Sequence, residues 1–243
     1  MAKKKKSKMT AVPASPPGVA MFGGHAMQDQ LEVVAPLVDS VWTQIASLSE
    51  GKSHVRVLFT SPDNQSGTTL MAAATAASLA RNMRADVLLV EAHMRQPAAA
   101  SYLGAETTPG FSDLLLGHTD LKTAIKNVPG IPGLNVLPGG TARPAIAGEL
   151  AAANAQEILR SITTSARFVI FDSPPLVQYQ EARGLLSFVD SSVLVLRSRL
   201  SSKNGTASLA ELIEGARVPI LGTVLNRHES EFGFLEGKLG ING

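Results

Sequence analysis

HVRVLFTSPDNQSGTTLMAAATAASLARNMR, residues 54–84, places a strand, a polar loop and a helix in succession. Val55, Val57, Leu58 and Phe59 form a short apolar run. A run of that length suits a strand covered on both faces. Ser61 to Gly67 breaks it with Pro62, Asp63, Asn64 and Gly67. From Thr68 the chain is rich in Ala and Leu, with Leu70, Ala74 and Ala77 at helical spacing. The start of a helix after such a loop offers free backbone N–H groups and about half a positive charge, a setting for phosphate.

The loop lacks the cation that phosphate chemistry asks for. A P-loop reads G-x-x-x-x-G-K-[ST]. With Thr68 in the hydroxyl position, Gly67 stands in the lysine slot, Ser66 at the last glycine and Ser61 at the first. Sliding by one puts Thr68 in the lysine slot and Pro62 at the first glycine. Neither register contains Lys, and Asp63 adds a negative charge nearby. Two readings stand: an altered nucleotide loop, or a plain strand-to-helix turn capped by Ser66 or Thr68.

Outward from this unit, the chain alternates strands and helices. Toward the N-terminus, Met27 to Ser49 has helical spacing, with Pro36 at a kink or at the helix start and Trp42 as a packing anchor. Toward the C-terminus, Val87 to Val90 predicts a second buried strand, ending in Glu91, Ala92, His93, Met94 and Arg95. Phe111 to Leu116 and Leu121 to Asn127 predict short helices within an irregular stretch, and Leu134 to Leu137 a strand. Ala145 to Thr164 predicts a long helix, and Arg167 to Asp172 a third buried strand that ends in an acid. Gln180 to Phe188 and Ala207 to Ala216 predict helices; Ser192 to Leu196 and Ile220 to Asn226 predict strands. This order implies a doubly wound, mostly parallel α/β sheet in a single domain. In such sheets ligands sit at the carboxyl ends of the strands, which is where Glu91, His93, Arg95 and Asp172 fall.

Composition limits the alternatives. The chain has 243 residues, and its 44% hydrophobic content supports a full core. It has no Cys, which excludes disulfides and thiolate metal sites and fits a reducing compartment. The net charge of +2 is uneven, because five Lys lie within residues 1–8. Without them the body carries 17 basic and 20 acidic side chains, a net of −3. A Pro- and Gly-rich stretch follows the Lys run where a signal peptide would need an apolar one. Residues 1–26 are therefore expected to be a disordered basic tail, 27–228 the domain, and 229–243 a C-terminal tail.

Taken together, the motifs resemble one family, the cytoplasmic domain of bacterial tyrosine autokinases. These lie within the P-loop ATPases that include the septum-site and plasmid-partitioning ATPases. Residues 55–69 occupy the Walker A place. LLVEAHMRQP at 88–97 is similar to the second motif, D-x-D-x-R followed by Pro, and FVIFDSPPL at 168–176 is similar to Walker B. PGFSDLLLG (109–117), NVLPGG (135–140), VDSSVLVLRS (189–198) and ILGTVLNR (220–227) are similar to further segments of the family.

The resemblance implies Asp172 and Glu91 as catalytic carboxylates if the protein is active. It implies Ser61, Gly67, Thr68, Thr69, Arg95 and Asn226 at a vestigial nucleotide site, and Thr68 with Asp172 on Mg²⁺ if ATP or ADP binds. It also implies a partner, the cytoplasmic part of a membrane polysaccharide co-polymerase, with a homo-oligomer as an option and no nucleic acid. Location would be cytoplasmic, peripheral at the inner membrane through that partner.

The departures from the family pattern shape the functional expectation. The Walker lysine is missing, and His93 replaces the second acid of the second motif. Pro36, Asp39 and Trp42 stand where an E-x-x-R-x-x-R assembly motif belongs. The tail after Asn226 has no Tyr, and the chain holds only Tyr102 and Tyr179. The expectation is a kinase-like protein without catalysis, a partner or regulator of polysaccharide polymerisation and export. The alternatives are an active tyrosine kinase or ATPase with an atypical loop, and a partitioning-type positioning ATPase.

Overall fold

In a computed structural model of the protein, the described residues are 34–142 and 153–227. Both expected tails lie outside them, as do residues 27–33 of the helix predicted from Met27 and residues 145–152 of the helix predicted over 145–164.

Val34 is helical, a 3₁₀ turn at Ala35–Val38 carries Pro36, and α1 (Asp39–Ser47) follows it. Then come β1 (Val55–Thr60), α2 (Thr68–Met83), β2 (Val87–Glu91), α3 (Ala99–Tyr102), α4 (Phe111–Leu115) and α5 (Leu121–Ala124). They are followed by β3 (Lys126–Asn127), β4 (Leu134–Leu137), α6 (Ala153–Thr163) and β5 (Phe168–Asp172). A 3₁₀ segment (Gln180–Phe188), β6 (Ser191–Arg197), α7 (Lys203–Gly215) and β7 (Ile220–Asn226) complete the order.

The strands form one seven-stranded sheet in the order β3-β4-β2-β5-β1-β6-β7. Every pair is parallel except β3 with β4. Side chains alternate across this sheet, and the core divides accordingly. Val57 and Phe59 of β1, Leu89 of β2 and Ile170 of β5 pack under α1 and α2. Leu58, Leu88, Val90, Val169 and Phe171 face α4, α6, α7 and the 3₁₀ segment. The buried Ala run of α2, from Ala72 to Ala77, lets that helix lie close to the sheet. The expected doubly wound, mostly parallel α/β domain is present, with helices on both faces.

Four local features differ from expectation. Lys126 and Asn127, read as the end of a helix, pair antiparallel with Val136 and Asn135. Helix α5 stops at Ala124 because Ile125 turns extended, at φ −71° and ψ 131°, and the turn at Pro129–Gly130 closes a hairpin. Gln180–Phe188 is 3₁₀ rather than α-helical, with the poor helix former Gly184 at its middle. Helix α7 begins at Lys203, four residues before the expected Ala207, because the Ser202 side chain accepts from the Gly205 N–H and caps it. Neither Ser66 nor Thr68 caps α2: the N-cap is Gly67, left-handed at φ 88°, with no side-chain cap.

Candidate functional site

Strands β1, β2 and β5 end side by side, and Glu91 and Asp172 are register partners there. Both carboxyls are buried, each 1% exposed. They are used differently. Glu91 Oε1 accepts from the backbone N–H groups of Ala98 and Ala99, and Oε2 accepts from Gly139 N at 2.8 Å. Glu91 thus ties the start of α3 and the loop after β4 to the end of β2. Burial pushes its carboxyl above the usual range, and the backbone amides around it, Gly139 foremost, pull the other way.

Asp172 has no such anchors. Neither oxygen has a hydrogen-bond partner. Burial, and then the charge of Glu91, push its carboxyl up to about 8. The Thr69 hydroxyl faces it and favours the charged form, in a geometry too loose to satisfy either oxygen. A buried, unsatisfied carboxyl beside a hydroxyl on the first turn of α2 fits one side of a divalent cation.

The loop from Ser61 to Gly67 is held by its surroundings. Ser61 and Ser66 hydroxyls both donate to Asp63 O, at 2.8 and 2.9 Å. Asn64 Nδ2 donates to Gln178 Oε1 at 2.9 Å, and Asp63 Oδ2 accepts from Ser202 N at 3.3 Å. Asn226, at the end of β7, donates through Nδ2 to Ser66 O at 2.8 Å. A Cβ at Gly67 would lie 2.1 Å from that Nδ2, so position 67 requires Gly on both space and φ. With Gly67 indispensable at the turn and Thr69 facing Asp172, the second loop register is the better one. In that register Thr68 stands in the lysine slot and Thr69 in the hydroxyl position.

The remaining members of the second motif turn away from phosphate work. Arg95 donates through Nε and Nη2 to Glu181 Oε1, at 3.1 and 2.8 Å, and lies over the Tyr179 ring. Burial, with the charge of Arg95 adding to it, holds the His93 imidazole below its usual range and hence neutral. The structure therefore brings Ser61, Gly67, Thr68, Thr69, Glu91, Asp172 and Asn226 to one end of the sheet, and it neutralises Arg95. Sequence reasoning missed Arg227, and it noted Tyr102 only as a tyrosine. The Tyr102 phenol senses the charges of both Asp172 and Arg227, so all three share this end of the sheet. No motif marks Tyr102, which falls in the stretch read as irregular. Among the described residues no cluster of three or more acidic, His or Cys side chains could hold a metal ion, and no helix is long and apolar enough to cross a membrane.

No family model matches the chain. It is 27% identical over 199 residues to tyrosine-protein kinase YwqD of Bacillus subtilis, covering 80% of this chain and 83% of that one. It is 25% identical over 171 residues to the putative tyrosine-protein kinase CapB of Staphylococcus aureus, covering 70% and 74%. Among solved structures, the VpsO kinase domain superposes with a TM-score of 0.73 at 24% identity, over 83% of this chain and 98% of that one. The septum site-determining protein MinD of Pyrococcus horikoshii, complexed with Mg-ADP, superposes with a TM-score of 0.61 at 21% identity, over 73% and 72%. The motif order and the fold agree with these comparisons: the chain is similar in sequence to bacterial tyrosine-protein kinases and has the fold that their kinase domains share with septum-site ATPases.

Proposed function

We propose that this protein is a kinase-like partner in a polysaccharide polymerisation and export complex, and that it works through its surface rather than through phosphoryl transfer. One observation carries the reading: the loop lacks the cation that a transferring phosphoryl group needs beside it. Loop 61–68 has no Lys or Arg, Arg95 is bound to Glu181, and both Glu91 oxygens are engaged by backbone amides. Phosphoryl transfer depends on positioning and charge neutralisation. A missing charge-assisted hydrogen bond, at roughly 1.5–3 kcal/mol, costs about one to two decades in affinity before any loss of rate.

Nucleotide binding survives in this reading as a weak, non-catalytic property. Asp172 and Thr69 would sit on the metal side of a bound Mg-nucleotide, and the backbone N–H groups at the start of α2 on its phosphates. The nucleotide-bound MinD neighbour supports that placement by fold alone.

The partner would be the cytoplasmic part of a membrane co-polymerase, as the tyrosine-kinase relatives and motif resemblance imply. The experiment is affinity capture of the full chain from membranes of cells making polysaccharide. The protein and its Asp172→Ala variant should capture the same membrane protein to the same extent. Loss of capture in Asp172→Ala would tie the partnership to the chemistry. A wild-type chain that captures nothing would end the scaffold reading.

A further inference from the structure

Position 227 follows Asn226, the residue that clasps the loop. The Asn226 side chain faces two ways: Nδ2 donates to Ser66 O at 2.8 Å, and Oδ1 accepts from Arg227 N at 2.8 Å. That clasp holds Arg227 in the left-handed region, at φ 55°, which L side chains seldom adopt. The end of β7 is therefore fixed against Gly67, at the start of the 16-residue helix α2. Arg227 forms no ion pair with a described residue, whereas Arg95 is spent on Glu181. The acid of the loop, Asp63, accepts through Oδ2 from Ser202 N.

A second observation points to a ligand here. Asp172, 1% exposed and with both oxygens unpartnered, faces the same first turn through Thr69. A carboxyl awaiting a cation and the residue Arg227, which has no ion pair among the described residues, thus meet at one helix N-terminus. That arrangement is complementary to a metal-bound polyphosphate.

We propose that Arg227, delivered from the end of β7, neutralises the phosphates of a nucleoside polyphosphate at loop 61–67 in place of the lysine that the loop lacks. The coupling of Tyr102 to both Asp172 and Arg227 agrees with this placement, because burial and then Asp172 raise the phenol while Arg227 pulls it down. The proposal rests on the reading above that the loop still takes phosphate. It adds which side chain supplies the charge. A guanidinium from another strand can bind without being positioned for transfer, so it is consistent with weak binding and no turnover.

The test is calorimetry at low salt on the full chain, with Mg-ADP and inorganic tripolyphosphate as probes. Wild type, Arg227→Ala, Arg227→Lys and Arg95→Ala are compared, and circular dichroism checks each fold. Arg227 is exposed, so its variants should fold. Arg227→Ala should weaken both probes about ten- to hundred-fold. Arg227→Lys should recover most of the loss, and Arg95→Ala should change affinity by less than about threefold, because the half-buried pair with Glu181 already holds that charge. Equal binding by wild type and Arg227→Ala would overturn the assignment of Arg227 and leave the nucleotide reading standing. No binding of either probe by the wild type would overturn both.

Discussion

Glu91 offers a test that separates an architectural carboxylate from a metal-binding one. Replacing it with Ala removes the acceptor for three backbone N–H groups, those of Ala98, Ala99 and Gly139. Ala99 and Gly139 are buried, so water cannot take the carboxylate's place. Each buried, unsatisfied donor costs roughly 1–3 kcal/mol. For the two buried donors the gross cost is therefore about 2–6 kcal/mol. Part is offset, because the variant also removes a buried charge that repels Asp172. A net loss of about 2–4 kcal/mol follows, a large share of a typical domain's stability. Glu91→Gln keeps one acceptor oxygen and removes the charge, so it should cost only about 1 kcal/mol. Urea unfolding measured by circular dichroism gives both values. Amide hydrogen exchange gives the location: Ala98, Ala99 and Gly139 should lose protection in Glu91→Ala before the strands do. An Ala variant within about 0.5 kcal/mol of wild type, with those amides still protected, would refute the anchor.

The loop and its neighbouring acid give further expectations. Thr68→Lys should tighten Mg-ADP about ten- to hundred-fold by calorimetry, whereas Gly67→Lys should fail to do so, because its Cβ would collide with Asn226 Nδ2 at φ 88°. The Asp172 carboxyl is held at about 8 in the fold against an ordinary value of 3.8, so the stability it contributes is full below about pH 4 and is lost as pH rises through about 8. Asp172→Asn stays neutral, so the gap between its melting temperature and that of wild type should widen in its favour from pH 5 to 8 and level off above. A gap that stays constant across that range would show that Asp172 titrates normally.

The sheet was largely legible because its central strands are buried on both faces and therefore read as unbroken apolar runs. VRVLF, VLLV and FVIF each map onto a strand of the observed sheet. β3 was not legible: two residues have no periodicity, and their pairing depends on a turn several residues away. At the site, the sequence placed Asp172 and Glu91 at strand ends but could not tell them apart. What separates them is Gly139, 48 residues from Glu91, whose N–H comes to one carboxyl and not the other. The fate of Arg95 is set by Glu181, 86 residues away. The loop register was open in sequence because Ser, Thr and Gly fit several slots, and it narrowed only when Gly67 showed a positive φ against Asn226. Arg227 closed the segment ILGTVLNR without a role of its own, and its place depends on the clasp of Asn226.

The most direct test of the central claim is single-turnover transfer from γ-labelled Mg-ATP by the purified full chain, with Asp172→Ala measured in parallel. The account predicts that phosphate release and protein labelling are the same for both and equal to the rate without protein. Release or tyrosine labelling well above that background in wild type, and abolished in Asp172→Ala, would contradict it and make the chain a working kinase or ATPase with an atypical loop.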